Sequence, residues 1–377
     1  MQITVLQENL KQQLNYLQKV IPSKPQLPIL SSILLQVKGD QLTLSATDLY
    51  LGIKTSLLAE VETEGSLVVS GDIFRNLISS LLPGKISLTL DQGSLIIVQG
   101  QSRTKLACQP ADEYPDFPDV EGKEVNLSTQ VLSQIEQLVS FAVSSDQTRP
   151  VLTSLLFKFR SKGLELVATD GFRLAKLQLD ELDFAFEQDL LIPARALNEL
   201  SRIAQQTQSD EFTFVLSEEL KQVLFRVGQV ELSVRLMDGD YPPYQKIIPP
   251  EFKLILELDT QEFTNQLKRA QIFAREVSNI VNLEFEQSSA TLTITALSPA
   301  FGEYKGEMSV KLQSNDLELE VKKLKIAFNV NYLIEFINAI QEETLRLQIN
   351  ESLKPAALSS TAYPNYLYIV MPFRVNE

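Results

Sequence analysis

Several stretches of the chain alternate hydrophobic and polar residues with a period of two, which predicts β-strands. Gly39, Gly93 and Gly163 stand beside such stretches, where they supply the positive φ of hairpin turns. Shorter helical patterns, with apolar residues at i, i+3 and i+4, lie between the strands. Because strands predominate and no regular strand–helix alternation appears, the pattern predicts an α+β fold with antiparallel sheets. The alternating stretches are 41–46, 85–90, 94–98, 164–168, 291–295 and 317–321.

A strand followed directly by Thr-Asp occurs twice along the chain. The first copy is Leu44-Ser-Ala-Thr-Asp48-Leu, and the second is Leu166-Val-Ala-Thr-Asp170-Gly. Ile294-Thr-Ala-Leu-Ser298 stands at the matching place further on. A strand that runs straight into a helix recurs as well, at 67–78, 190–200 and 326–336.

Each copy of these units also opens with a predicted helix and ends in a similar closing segment. The opening helices are predicted at 8–19, 130–145 and 261–275, and the closing segments at 112–118, 239–244 and 368–374. The alternative is three unrelated domains with chance similarity. Because the units recur in one order at nearly constant spacing, the sequence instead predicts three related domains. Their predicted bounds are 1–122, 123–250 and 251–377.

Composition limits the chemistry that the chain can perform. Of its 377 residues 44% are hydrophobic, which is enough to build real cores. It has no histidine and one cysteine, Cys108, so Ser-His-Asp systems, His- or Cys-based zinc sites and an internal disulfide are excluded. The start lacks a signal-peptide pattern, and no apolar run approaches the ~18 residues of a membrane span. These features predict a cytoplasmic protein, whereas the net charge of −14 argues against a nucleic-acid partner.

Carboxylates are the remaining candidates for chemistry. Asp48 and Asp170 stand at strand ends and could be catalytic, but each is more simply a turn-starting residue that bonds its own backbone. A second acidic cluster could hold a metal, but it is interleaved with prolines and lacks EF-hand spacing, so a solvated inter-domain linker is favoured. No nucleotide-binding fingerprint is present. The cluster is Asp112, Glu113, Asp116 and Asp119.

Four segments, together with the length and the threefold repeat, resemble one known family over the whole chain. They are Pro25-Gln-Leu-Pro-Ile-Leu30, Ala168-Thr-Asp-Gly-Phe-Arg-Leu174, Asp238-Gly-Asp-Tyr-Pro-Pro-Tyr244 and Val370-Met-Pro-Phe-Arg374. The family is the bacterial DNA polymerase III β subunits, or sliding clamps. The resemblance implies a head-to-tail homodimeric ring of six α+β domains, each with antiparallel sheets outside and two helices lining the hole.

The resemblance also implies a non-catalytic function that needs no cofactor or metal. The ring would encircle duplex DNA independently of sequence and tether the replicative polymerase through its α subunit. An ATP-driven clamp loader would open and close it. Other polymerases and repair proteins would bind through a short motif similar to Gln-Leu-x-Leu-Phe, and no membrane is involved.

The distribution of charge changes the meaning of the acidic total. The six candidate channel helices, including 72–82, 194–206 and 329–341, together carry +2, so the other residues carry −16. A weakly positive lining suits sliding, because strong phosphate neutralisation would deepen the electrostatic well. Without the resemblance, these would be ordinary solvated helix faces. The predicted DNA contacts are Lys11, Lys19, Lys24, Arg75, Arg195, Arg202, Lys268, Arg269 and Arg275.

By the same resemblance, partner peptides would enter an apolar cleft between the second and third domains. Linear apolar motifs need a cleft of this kind, and Met suits a site that serves several partners. Taken alone, Met371-Pro-Phe would instead be a final core strand. The matching cleft residues are Leu152, Thr169, Gly171, Phe172, Arg173, Leu174, Pro242, Lys246, Ile247, Val370, Met371, Pro372, Phe373 and Arg374.

Some cleft positions depart from the family pattern. Phe172 stands where the best-known members carry His, Lys246 replaces an Arg, and Phe373 replaces a Met. Pro150 and Val151 stand where some members use a pair of tyrosines. We therefore expect the cleft to persist with an altered peptide preference.

For ring closure, the resemblance sets one surface of the first domain against a helix of the third. Two other functions remain as alternatives: a clamp-fold protein scaffold without DNA loading, and a carboxylate-based hydrolase using Asp or Glu pairs. The predicted dimer-interface residues are Arg103, Thr104, Leu106, Ile272 and Phe273.

Overall fold

The computed structural model describes residues 1–217, 219–315 and 323–374. The chain divides into two compact units. The first unit consists of Met1–Leu132 with Arg195–Leu236, and the second of Ser133–Ala194 with Met237–Glu377. Within the described ranges, no helix has the length and apolar character needed to cross a bilayer.

Three successive stretches of chain repeat one order of elements: a strand and a helix, a set of antiparallel strands, then a second helix and three more strands. The first repeat contains β1 (Gln2–Leu6), α1 (Gln7–Leu17), β2 (Ser32–Lys38), β3 (Gln41–Thr47), β4 (Leu51–Leu58), β5 (Glu60–Thr63), β6 (Gly65–Ser70), α2 (Gly71–Ser80), β7 (Lys85–Asp91), β8 (Ser94–Gln99) and β9 (Ser102–Gln109). The second contains β10 (Lys123–Ser128), α3 (Thr129–Leu138), β11 (Ser154–Phe159), β12 (Lys162–Thr169), β13 (Arg173–Asp183), β14 (Gln188–Pro193), α4 (Ala194–Thr207), β15 (Glu211–Ser217), β16 (Gln222–Val227) and β17 (Val230–Arg235). The third contains β18 (Leu254–Asp259), α5 (Thr260–Ala274), β19 (Ile280–Glu286), β20 (Thr291–Ser298), β21 (Gly302–Ser309), β22 (Lys311–Asn315), β23 (Lys323–Asn329), α6 (Val330–Ile340), β24 (Thr344–Ile349), β25 (Ala356–Ser359) and β26 (Tyr366–Val370).

The first unit is built on one antiparallel sheet of 13 strands, in the order β10-β15-β16-β17-β4-β3-β2-β6-β9-β8-β7-β1-β5. Helices α1 and α2 pack against each other, α1 over β3 and β4 and α2 over β2 and β6. The apolar stripes of the two helices cover these strands with Leu10, Leu14, Phe74 and Ile78, all fully buried.

The second unit contains a nine-stranded sheet, β14-β11-β12-β13-β26-β25-β24-β18-β22, and a four-stranded sheet, β21-β20-β19-β23. Helix α5 packs on α6 and on β20 and β21. Large aromatic side chains fill this core, including Phe263 of α5, Phe328 of β23, Phe336 of α6 and Tyr368 of β26.

Most predicted elements are confirmed. The hairpins at Gly39, Gly93 and Gly163 join β2 to β3, β7 to β8 and β11 to β12. The three strand-into-helix units are β6–α2, β14–α4 and β23–α6. Five of the six alternating stretches lie in strands, and the sixth, 317–321, lies outside the described residues.

The predicted helix at 130–145 is wrong in its C-terminal half, because α3 ends at Leu138 and a short 3₁₀ turn follows. Val139 and Val143 are β-branched and weak helix formers. The Ser144 N–H donates to the Leu152 carbonyl oxygen at 2.8 Å, which takes the chain out of the helical path. This long-range hydrogen bond leaves no periodic signal in the sequence.

Candidate functional sites

The second Thr-Asp copy forms a tight turn between β12 and β13. The Thr169 hydroxyl donates to the Arg173 carbonyl at 2.5 Å and accepts the Gly171 N–H at 3.0 Å. Asp170 Oδ1 accepts the N–H groups of Phe172 and Arg173 at 2.8 and 3.0 Å. Gly171 has a φ of 95°, which glycine adopts without Cβ strain. The prediction that Asp170 starts a turn is confirmed, and the turn leaves Phe172 51% exposed.

The C-terminal segment runs along this turn, because β26 pairs with β13. Just after β26, the Met371 N–H donates to the Phe172 carbonyl at 2.8 Å. Two residues later, the Phe373 N–H donates to the Ala327 carbonyl at 2.8 Å. Met371, Pro372 and Phe373 are only partly buried. They therefore form a surface beside Phe172 and do not continue the core strand.

Arg173 is tied to its surroundings from several sides and is 8% exposed. Its Nε donates to Asp170 Oδ2 at 3.1 Å, its Nη2 donates to the Phe141 carbonyl at 2.7 Å, and Glu335 forms a second ion pair. The guanidinium also lies 4.6 Å from the ring centroid of Tyr332. These contacts hold the Arg173 side chain in place, so it fixes the shape of the surface around Phe172. Because two carboxylates neutralise its charge, Arg173 adds little net charge to that surface.

A buried apolar cluster lies under these segments. Val151, Tyr241 and Ile247 are partly buried and pack against it, so the cluster joins the loops at 150–153 and 241–248 to strands β13 and β26. The structure thereby brings the predicted cleft residues of four separate segments into one part of the second unit. The buried members are Leu156, Val167, Leu174, Leu191, Tyr244, Ala357 and Ile369.

Two tyrosines of this region were missed by sequence reasoning. Tyr241 and Tyr244 line a cavity of about 320 Å³, together with Leu156, Lys158 and Leu191. Their rings meet edge to face, with centroids 6.4 Å apart. Both belong to the recurring closing segment, so the repeat carried a signal that could have found them.

Glu165 anchors the loop at 241–248 through Tyr244. Its carboxylate accepts a hydrogen bond from the Tyr244 hydroxyl and pairs with Lys176 at 2.8 Å and Lys158 at 3.1 Å. Burial works against the charged form, but hydrogen bonds from Lys176, Tyr244 and Lys158 outweigh it, so the pKa of Glu165 falls from 4.5 to about 2. Burial and then the Glu165 carboxylate raise the pKa of Tyr244. At neutral pH, Glu165 therefore stays ionised and Tyr244 stays neutral, so the charge along this wall of the cavity is fixed.

The remaining predicted cleft residues differ in exposure. Leu152 and Thr169 are buried, and Val370 is 1% exposed. At the rim, the exposed residues are Gly171, Pro242, Lys246 and Arg374. The region therefore has an apolar floor and a more polar edge, which is the division that peptide-binding clefts use.

Most of the predicted DNA contacts are free cations. Six of them are exposed and form no ion pair with any residue in the described ranges. In the first unit they belong to α1 and the segment after it, and in the second unit to α5 and its C-cap. The six are Lys11, Lys19, Lys24, Lys268, Arg269 and Arg275.

The other three predicted contacts are engaged within the first unit. Arg75 lies 4.0 Å from Asp72. Arg195 pairs with Asp48 at 2.6 Å and donates to the Lys19 carbonyl at 3.0 Å. Arg202 reaches the carbonyl oxygens at the end of α1. Ion pairs within the protein partly neutralise the charges of these three arginines. The sequence pattern does not reveal these ion pairs.

Arg202 caps the C-terminal end of α1. Its guanidinium donates to the carbonyls of Tyr16 at 2.9 Å and Asn15 at 3.3 Å and pairs with Glu199 at 2.8 Å. The last carbonyls of a helix have no intrahelical partner, and a cation there also interacts favourably with the helix dipole. Arg202 therefore joins α4 to α1.

The predicted dimer-interface residues lie on or beside two open strand edges. In the first unit, β9 carries Arg103, Thr104 and Leu106, and among the described residues it pairs with β6 only at its last two positions. In the second unit, β21 is the edge of the four-stranded sheet. Phe273 of α5 stacks on Tyr304 of β21 with centroids 6.5 Å apart, and its neighbour Ile272 is 65% exposed.

The acidic segment after β9 is solvated at its carboxylates, as predicted, but it is also anchored by packing, which the linker prediction did not include. Its four carboxylates are exposed, but Tyr114 and Val120 are buried and Phe117 packs against Val120. The alternating aromatic and aliphatic residues therefore fix the segment to the first unit. Among the residues that the structure describes, no group of three or more His, Cys, Asp or Glu side chains could hold a metal ion.

Comparison with protein families gives three adjacent matches. The model described as DNA polymerase III beta subunit, N-terminal domain, matches residues 1–118. The central-domain model matches 126–243, and the C-terminal-domain model matches 245–374. Together they cover nearly the whole chain in the order of the three repeats.

Individual relatives agree along the full length. The beta sliding clamp of Synechococcus elongatus is 30% identical over 384 residues, with 100% of both chains covered. The beta sliding clamp of Staphylococcus aureus is 31% identical over 385 residues, with 99% of both covered. The crystal structure of the DNA polymerase III subunit beta from Pseudomonas aeruginosa is 26% identical, covers 99% of this chain and 100% of that one, and superposes with a TM-score of 0.90.

Proposed function

Because the chain belongs to the DNA polymerase III beta subunit family, we propose that it is a DNA sliding clamp. It acts as a non-catalytic processivity factor: a homodimeric ring that encircles duplex DNA, tethers the replicative polymerase and recruits other replication and repair proteins. The observation that carries this proposal is the element order that recurs three times, each copy coinciding with one family domain. We infer domain bounds at 1–122, 123–250 and 251–377, and a location in the cytoplasm.

The exposed cations support loose contact with DNA. Lys11, Lys19 and Lys24 in the first unit, and Lys268, Arg269 and Arg275 in the second, have no carboxylate partner among the described residues and can meet phosphates. Six such contacts give an attraction to DNA that is independent of sequence and sensitive to salt, but they do not create a deep electrostatic well. Retention then depends on ring closure and not on affinity.

The two open edges support a head-to-tail homodimer. Paired antiparallel, β9 of one protomer and β21 of its partner would satisfy backbone groups that each edge leaves free. The exposed charges on β9 are Arg103 and Lys105, whereas β21 exposes Glu303 and Glu307 around Lys305. Opposite charges across paired strands stabilise this arrangement, and like charges disfavour β9 against β9.

The surface at Phe172 and Met371–Phe373 supports peptide docking. Its apolar floor, the exposed aromatic ring and the polar rim match what a linear apolar motif requires. Phe373 is stiffer than the Met that it replaces, so we infer a preference for peptides with smaller or straighter apolar side chains.

Topological retention tests the function. The chain is loaded onto nicked circular DNA by a matching clamp loader, and the DNA is then linearised. A clamp stays on circles and leaves linear molecules through their ends. Equal retention on both would contradict encirclement, and failure to load while partner peptides still bind would favour the scaffold without DNA loading.

A further inference from the structure

The Thr-Asp turn of the first repeat has the same internal hydrogen bonds as the turn at Phe172. The Thr47 hydroxyl donates to the Leu51 carbonyl at 3.1 Å and accepts the Leu49 N–H at 3.0 Å. Asp48 Oδ1 accepts the N–H groups of Tyr50 and Leu51 at 3.0 and 2.8 Å. The turn-starting role predicted for Asp48 is thus confirmed, and each bond has its counterpart at Thr169–Arg173.

The surroundings of the two turns correspond as well. Strand β4 leaves the first turn and pairs with β17, as β13 leaves the second and pairs with β26. The Arg235 N–H donates to the Tyr50 carbonyl at 2.9 Å, in the place of the bond from Met371 to Phe172. A tyrosine lies below each turn: the Tyr114 hydroxyl donates to the Ser32 carbonyl at 3.0 Å, and the Tyr241 hydroxyl donates to the Val167 carbonyl at 3.4 Å. Burial raises the pKa of Tyr114 to about 12.

The first turn exposes more apolar surface than the second. Tyr50 is 67% exposed and Leu49 is 48% exposed. Leu49 stands at a φ of 75°, where its counterpart is Gly171. A branched residue in this region costs of the order of 1–2 kcal/mol. The sequence therefore places a large apolar side chain in an exposed and strained position, which core packing does not explain.

Basic groups flank this apolar pair. Arg195 binds Asp48 at 2.6 Å with its side chain still 56% exposed. Arg235 is exposed and pairs with no carboxylate in the part of the chain that the structure describes. The exposed Leu49 and Tyr50 thus lie beside the backbone hydrogen bond that Arg235, an exposed arginine, donates to Tyr50, and this combination suits an apolar side chain next to a carboxylate.

We propose that Leu49, Tyr50 and Arg235 form a second peptide-docking site, quasi-equivalent to the one at Phe172 and selective for linear partner segments with an acidic residue beside an apolar one. The inference rests on the proposed function, since the first site supplies the template. Tyr50 with two arginines could also suit unpaired bases. The shared turn, the shared strand pairing and the exposed Leu49 favour a peptide.

The test uses the full-length chain and a fluorescent ten-residue peptide containing Gln-Leu-Asp-Leu-Phe, measured by anisotropy and calorimetry. The first site is disabled by Met371→Ala with Phe373→Ala. Tyr50→Ala and Arg235→Gln are then added separately. Leu58→Ala is the matched control, because Leu58 is 70% exposed and lies on the same strand, β4, away from the turn.

We expect residual binding in the disabled chain. Tyr50→Ala should weaken it by about tenfold or more, the usual effect of losing an aromatic anchor. Arg235→Gln should weaken it and flatten its salt dependence, and Leu58→Ala should leave it unchanged. No residual binding, or residual binding that Tyr50→Ala leaves unaltered, overturns the second site.

A parallel titration with fluorescent oligothymidylate separates the other ligand class. If Tyr50→Ala weakens oligonucleotide binding and not peptide binding, the peptide proposal is overturned. Retention of the same variants on circular DNA shows which proposal has failed. Normal retention without a second peptide site overturns this inference alone, whereas loss of retention in the unmodified chain overturns the clamp function.

Discussion

Arg202 should stabilise the fold and contribute little to DNA binding, although sequence reasoning placed it among the DNA contacts. Arg202→Gln removes the guanidinium that reaches from α4 to the carbonyls of Asn15 and Tyr16. It leaves Glu199 without its ion-pair partner. The substitution keeps a long polar side chain, so helix propensity changes little.

The expected loss follows from these contacts. A hydrogen bond to a charged group contributes about 1.5–3 kcal/mol when it is well buried, and a cation at a helix C-terminus adds about 0.3–1 kcal/mol. The side chain is 23% exposed, so solvent screens part of both contributions. Arg202→Gln should therefore lower the free energy of unfolding by about 2 kcal/mol, which corresponds to a fall in Tm of about 4–8 °C for a unit of this size.

Urea unfolding followed by circular dichroism measures the change, with Lys11→Gln as the matched control. Lys11 lies on α1 itself and is exposed. Its loss should change stability by no more than about 0.5 kcal/mol but reduce the salt dependence of binding to short duplex DNA. If Arg202→Gln is as stable as the control and binds DNA more weakly, the capping role is refuted.

Three further outcomes are expected. Met371→Ala with Phe373→Ala should weaken binding of a Gln-Leu-x-Leu-Phe peptide and leave the dimer intact in sedimentation; unchanged affinity refutes the cleft assignment. The pKa of Glu165 is depressed from 4.5 to about 2, so its stabilising effect is present above about pH 4.5 and is lost as the pH falls toward 2. The free energy of unfolding of the Glu165→Gln variant should accordingly depend less on pH across that window than that of the unmodified chain. Parallel pH profiles for the two proteins would contradict this role of Glu165. Lys268→Gln with Arg269→Gln should reduce the slope of log binding constant against log salt by up to about two, and an unchanged slope would remove both residues from the DNA surface.

Local pattern was enough to predict most of the fold. The period-two alternation of β7 and β20 matches their buried positions, so these strands needed no tertiary information. Strands β8 and β12 bury consecutive residues, which alternation alone does not predict. The end of α3 did need it, because the bond from Ser144 to Leu152 competes with helical hydrogen bonding. The closing segments recur at regular spacing but carry no helix or strand pattern. The anchoring roles of Tyr114, which is buried, and Tyr241, which is partly buried, therefore emerged only in the structure.

The functional sites were harder to predict from the sequence than the fold was. An arginine on a helix looks the same whether it faces solvent or caps a neighbouring helix, which is why Arg195 and Arg202 could not be distinguished from Lys11. The cleft residues were expected only through the family resemblance. No periodicity links Thr169 to Met371, because the pairing of β13 with β26 spans nearly two hundred positions along the chain.

The open edges of β9 and β21 also affect the solubility of the separated protomer. If the proposed pairing of β9 with β21 opens, each edge becomes a template for intermolecular β-pairing and hence for aggregation. Arg103 and Lys105 on one edge and Glu303 on the other act as gatekeepers against self-stacking. Neutralising these charges is expected to weaken the proposed dimer and also to make dilute or freshly synthesised protomers precipitate. Assembly and colloidal stability would then depend on the same few side chains.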